Sequence, residues 1–135
     1  MAYKIEEIEG IGTVYGEKLR AAGVTTTERL LEKCAGKSGR AAMAKETGID
    51  EKFILKWTNH ADLFRISGVG PEFSELLEAA GVDTVKELRN RNAENLYAKM
   101  QEVNEVKKLV RRLPSLGQLT KMIEEAGKIE PKMTY

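Results

Sequence analysis

The sequence predicts an all-α fold made of two related repeats packed as one compact helical body. Three observations lead there. The chain repeats itself: Ile8-Glu9-Gly10-Ile11-Gly12 returns 58 positions later as Ile66-Ser67-Gly68-Val69-Gly70, and eleven of the 24 positions in Ile8–Leu31 are identical in Ile66–Arg89. Helix start and stop residues punctuate the whole length. No run of four to eight residues alternates apolar and polar in the β-branched manner of a strand.

Each repeat opens on a Gly-x-Gly turn and continues into a helix that closes at Gly23 or Gly81. Glycine suits that position because a left-handed cap costs it nothing sterically. Thr25 or Thr26 in the first repeat, and Asp83 in the second, are expected to N-cap the next helix. The registers then slip by four residues, and the Ala35–Gly39 stretch is assigned as the extra loop. Gly48 closes a further helix, Asp50 opens the next, and Phe53, Trp57, Ala61 and Phe64 follow at helical spacing. Leu96, Tyr97, Met100 and Val103 form one later stripe. Val106, Leu109, Val110 and Leu113 form another, in a helix that Pro114 is expected to end. Ser115 and Gln118 make a capping box for the last helix. The sum is nine or ten short helices, with repeats at 3–64 and 65–127 and a tail at 128–135. No Pro/Gly/Ser-rich linker separates the repeats.

Composition narrows the function. The 135 residues carry 22 basic and 21 acidic side chains, a net charge of +1, which is not the strongly basic balance of a general polyanion binder. The single Cys34 leaves no disulfide framework and no cysteine-built zinc site. No apolar run reaches the length of a membrane span, and Met1–Glu7 lacks the apolar core of a secretory signal. A cytoplasmic setting is the expectation. No His-x-Glu, Gly-x-Ser-x-Gly or P-loop pattern is present, so the chain is expected to be no enzyme and to need no cofactor or metal.

The chemistry sits at the glycine turns. Gly10-Ile11-Gly12 and Gly68-Val69-Gly70 resemble the helix-hairpin-helix motif, in which two helices meet across a tight turn. The middle apolar residue plugs the space between the helices. The turn aims free N–H groups at the positive end of the next helix, where a phosphate is favoured. The stretch Leu76–Leu88, together with Arg91–Leu96 and Leu109–Ser115, resembles a bacterial family known only as a domain of unknown function. That resemblance spans Ile8 to about Gly127 and implies a helix-hairpin-helix-like fold with no settled activity. The first repeat departs from the second in having Thr13 for Pro71 and Gly16 for Ser74.

Local charge separates the turns. Lys18 and Arg20 follow Gly12, with Glu17 between the turn and both, whereas Glu72, Glu75 and Glu78 follow Gly70. The first turn is therefore the expected nucleic-acid contact, through Gly10, Ile11, Gly12, Lys18 and Arg20. Gly68, Val69 and Gly70 are expected to be structural. Lys107, Lys108, Arg111 and Arg112 form the densest basic cluster, expected on one helix with i, i+4 pairing. His60 and Cys34 are read as packed residues and Trp57 as a core anchor, with the aromatics needed for the core rather than for base stacking. The expected function is non-sequence-specific binding to a nucleic-acid (DNA) backbone, the alternative a protein–protein adaptor.

Overall fold

The computed structural model describes residues 3–135. Met1 and Ala2, the start of the N-terminal stretch read above, lie outside the described residues. Among the described residues the chain is helical with no strand. A short 3-10 turn at Ile5–Glu7 precedes α1 (Gly12–Ala21), α2 (Thr27–Cys34), α3 (Lys37–Thr47) and α4 (Glu51–Leu63). These are followed by α5 (Pro71–Ala79), α6 (Val85–Arg89), α7 (Ala93–Lys107) and α8 (Leu116–Lys128). The chain forms two compact units. One extends to Asp62 and takes in Lys132–Tyr135; the other is Leu63–Pro131.

In the first unit Ile5, Ile8, Ile11, Leu19, Val24, Leu30, Ile54 and Trp57 are buried. The 3-10 turn is tied to the start of α2 by backbone bonds, Ile5 N to Thr25 O (3.1 Å) and Thr27 N to Tyr3 O (2.9 Å). Of the stretch assigned above to a tail, Lys132–Tyr135 is held here. Thr134 N donates to Ala35 O (2.9 Å), and the Tyr135 hydroxyl donates to Asn59 Oδ1 (3.1 Å). The buried Arg40 donates to the carbonyls of Cys34 (3.1 Å), Ala35 (2.9 Å) and Thr134 (2.7 Å). Those bonds offset the cost of taking its charge out of water.

The second unit buries Ile66, Val69, Leu76, Leu77, Val82, Leu88, Leu96 and Met100, with Leu119 and Ala126 contributed by α8. Its opening elements have the local backbone of the first unit. Gly23 and Gly81 both have positive φ (+87° and +95°). Val24 N donates to Leu19 O and Val82 N to Leu77 O, each at 2.8 Å. These are the bonds of a left-handed helix close. Thr26 Oγ1 then accepts from Arg29 N, and Thr84 Oγ1 from Glu87 N, each at 3.2 Å.

Three expectations change. Thr84, not Asp83, caps α6; burial pushes the Asp83 carboxyl up instead. The Ala35–Gly39 stretch is no open loop, since Lys37 already begins α3. A Cβ at Gly39 would collide with the Lys33 carbonyl, so the close approach of α3 to the end of α2 requires glycine there. The helix expected to run to Pro114 ends at Lys107, with Lys108 left-handed at φ +50°. The Asn104 side chain captures the next turn, donating to Val110 O and accepting from Val110 N, both at 3.1 Å. A short amide side chain offers the backbone partners outside the helix ladder. The stripe ends with it, and Val106 is left 81% exposed.

Candidate functional site

The first glycine turn is open. Gly10 and Gly12 both adopt positive φ, +93° and +62°, conformations an L side chain takes only with strain. Ile11 between them is buried and its N–H donates to Ile8 O (3.3 Å). A Cβ at Gly12 would meet nothing within 4 Å, and one at Gly10 would rest 3.8 Å from the Trp57 indole nitrogen. Gly16 explains the odd glycine inside α1. A Cβ there would lie 2.8 Å from a Glu6 carboxylate oxygen, and Glu6 reaches across it to Arg20. That pair is bidentate, Arg20 Nε and Nη2 each donating at 2.6 Å. The guanidinium holds the Glu6 carboxyl down to about 2 from its usual 4.5. Arg20 is thus committed to Glu6, while Lys18 is exposed. Glu7 accepts from the Lys4 N–H (2.7 Å).

Aromatic rings back this turn. Trp57 and Phe53, one helical turn apart on α4, lie nearly parallel, with centroids 6.0 Å apart at 18°. Tyr15 of α1 tilts against both, at 5.2 Å from Trp57 and 6.1 Å from Phe53. Trp57 is 2% exposed, as expected of a core anchor, but Phe53 is 38% exposed and Val14 66%. The Lys52 ammonium lies 5.4 Å from the Phe53 ring centroid.

The second turn is touched by α8, although Gly68 itself is exposed and a Cβ at Gly70 would meet nothing within 4 Å. Gly68 has φ +87° and its Cβ position is 3.1 Å from Met122 Cε. Gly70 is extended at the N-cap of α5, with Pro71 in the first turn. Glu125 of α8 places its carboxylate on the turn, accepting from Ser67 N at 3.1 and 3.3 Å and from Ser67 Oγ at 3.4 Å. Ser74, matching Gly16, bonds inward to Pro71 O (3.0 Å). Beside this turn is a cleft of about 1070 Å³ whose lining includes Ser67, Phe73, Tyr97, Arg112, Lys121 and Glu125. No motif in the sequence marked it, since its walls come from four separated stretches.

Lys107, Lys108, Arg111 and Arg112 are all exposed, but they do not share one helix. The first is the last residue of α7, the second its left-handed cap, and the arginines follow in the non-helical stretch before α8. The expected i, i+4 face is therefore replaced by a basic bend, of which Arg112 enters the cleft wall. Arg89 and Arg91 are engaged in structure. Arg89 donates to Gly127 O (2.7 Å), and Arg91 to Gly81 O (2.8 Å) and Glu87 (2.6 Å). His60 is fully buried, and burial pushes the Cys34 thiol up to about 11, away from nucleophilic use. Among the described residues, no three His, Cys, Asp or Glu side chains are grouped to hold a metal ion, and no helix is long and apolar enough to cross a membrane.

The profile of a protein family, Domain of unknown function (DUF4332), matches residues 9–129. The chain belongs to the DUF4332 family. The matched span takes in both glycine turns and ends just past α8. No curated protein and no solved structure matches the chain.

Proposed function

We propose that this DUF4332 chain is a tandem helix-hairpin-helix module, without catalytic activity, that grips a nucleic-acid backbone without reading sequence. The first hairpin is the gripping element. The observation that carries this reading is the contrast in contacts and charge. The Gly10–Gly12 turn is open, and Arg20 neutralises the carboxylate that crosses its helix. The Gly68–Gly70 turn carries the Glu125 carboxylate, with Glu72 in the first turn of the helix behind it. Two carboxylates near a helix start repel a phosphate. At the first hairpin the N–H groups of Gly10 and Gly12 meet a phosphate, the Ile11 N–H being spent on Ile8 O, and Lys18 adds attraction. Arg20 acts by removing negative charge rather than by touching the ligand. Lys107, Lys108, Arg111 and Arg112 strengthen the attraction to a polyanion. A bacterial cytoplasm, where such a polymer and a reduced Cys34 coexist, fits this role.

Fluorescence anisotropy with labelled DNA and RNA at about 50 and 200 mM salt tests the reading, because phosphate contacts weaken steeply over that range. Binding at low salt that collapses at high salt is expected. Lys18→Glu should weaken every nucleic acid alike and flatten the salt slope by about one. Absence of binding at low salt would sink the proposal. The exposure of two large apolar side chains, Val14 at 66% and Phe53 at 38%, favours a second reading, an adaptor with an apolar protein contact. Binding to a protein partner would then be insensitive to salt.

A further inference from the structure

We infer that the first hairpin selects unpaired strands, with Phe53 as the platform on which one base stacks. The inference rests on the proposed backbone grip and adds the strand state of its ligand. The glycine turn and the aromatic rings are contiguous, since the Gly10 Cβ position is 3.8 Å from the Trp57 indole nitrogen. From Trp57 the aromatic surface continues outward to Phe53, near-parallel at 6.0 Å. The buried ring anchors the stack while Phe53 remains 38% exposed. Tyr15 props both rings from α1. A base placed on Phe53 would extend a pile of rings that α4 already holds, so little side-chain freedom is lost on binding.

The charge at the platform fits a nucleotide. Lys52 holds its ammonium 5.4 Å from the Phe53 centroid. A stacked base brings a phosphate on each side of its sugar. The hairpin N–H groups serve one and Lys52 the other. The Lys52 ammonium lies over the Phe53 ring, so a stacking base displaces it from the ring toward the phosphate. Duplex DNA keeps its bases paired and stacked inside, so it offers this surface only its backbone. An unpaired strand offers both backbone and base face, and aromatic stacking accepts any base.

The test uses the full chain, oligothymidine, and a duplex of equal length, read by anisotropy at low salt and by the emission of Trp57, the single tryptophan. The unpaired strand is expected to bind about tenfold more tightly than the duplex, the order expected for one base–aromatic stack. It should also quench Trp57. Phe53→Ala should erase that preference, and Phe53→Tyr should restore it. Circular dichroism of each variant checks that the helices persist, and Phe53→Leu serves as an alternative probe that keeps apolar bulk. Equal affinity for both strand forms, or a Phe53→Ala variant that keeps the preference, overturns the inference while the backbone grip stands. No binding of either nucleic acid overturns both, and leaves exposed Phe53 to a protein partner.

Discussion

The two glycine turns begin with one pattern and end in different surroundings. Gly10 and Gly68 have nearly the same φ, +93° and +87°, and the helices that follow close with the same 2.8 Å bond from Val24 or Val82. After that they part. Glu6 folds over Gly16 to meet Arg20 at the first turn. Glu125 and Met122 of α8 sit on the second. The aromatic that follows each turn differs in the same way, Tyr15 packing on Trp57 and Phe73 lining the cleft. The duplicated segment thus keeps its core plug and the backbone of its first glycine and helix close, but not of its second glycine, left-handed at Gly12 (φ +62°) and extended at Gly70 (φ −118°), and its outer face is decided by whichever element arrives later. Where α8 arrives, a carboxylate and a methionine meet the turn; at the first turn, among the described residues, no such helix does.

The comparison is sharpest in the shared core. Leu19 and Leu77 are fully buried at equivalent places, so Leu19→Ala and Leu77→Ala should each cost about 2–5 kcal/mol. Denaturant unfolding of the two variants measures this, and a large inequality would break the equivalence of the repeats. A smaller effect separates the turns themselves. Gly10→Ala is expected to cost about 1–2 kcal/mol from its left-handed backbone alone. Gly68→Ala should cost more, because its methyl also has to displace Met122 from 3.1 Å. Equal costs would show that α8 does not press on the second turn.

The smallest effect is confined to the first turn and to acid. Arg20 holds the Glu6 carboxyl at about 2 rather than 4.5. A lowered folded-state value stabilises the protein above the unfolded value, and that stabilisation is lost as pH falls through the folded one. The wild type should therefore lose, between about pH 4.5 and 2, an increment of stability that Arg20→Ala lacks at every pH. The pair is solvent-exposed, so the increment is small. Thermal melts across that window measure it, and parallel curves for the two proteins would show that the ion pair does not form in solution.

Much of the fold was legible because its signals are local. The left-handed glycines Gly23, Gly48 and Gly81, the Thr26 cap, the Asp50 start and the Ser115–Gln118 capping box all act within a few residues of chain, and each stands as read. The misreadings share one cause. Asn104 turns the chain away from a helix that Val106, Leu109 and Val110 could have continued, and a spacing rule does not see a side chain competing for the backbone. Gly39 read as a loop residue because its close approach to Lys33 lies across a corner. Spacing and charge pointed to the first turn, whose glycines are left-handed, and to Lys18, which is exposed. They did not show the pairing of Arg20, the exposure of Phe53 or the bend under Arg111 and Arg112.

The sequence by itself determined that this chain is helical, where most helices begin and end, and that a glycine turn occurs twice. Those properties follow from backbone sterics and short-range hydrogen bonds, whose partners are neighbours in the chain. Only the tertiary structure decided which turn α8 touches, which arginine is already neutralised and which aromatic reaches solvent. Each of these depends on a partner outside its own helix, Glu6 for Arg20, α8 for the second turn, Tyr15 for Phe53. Burial and charge pairing are set by where those partners come to rest in space.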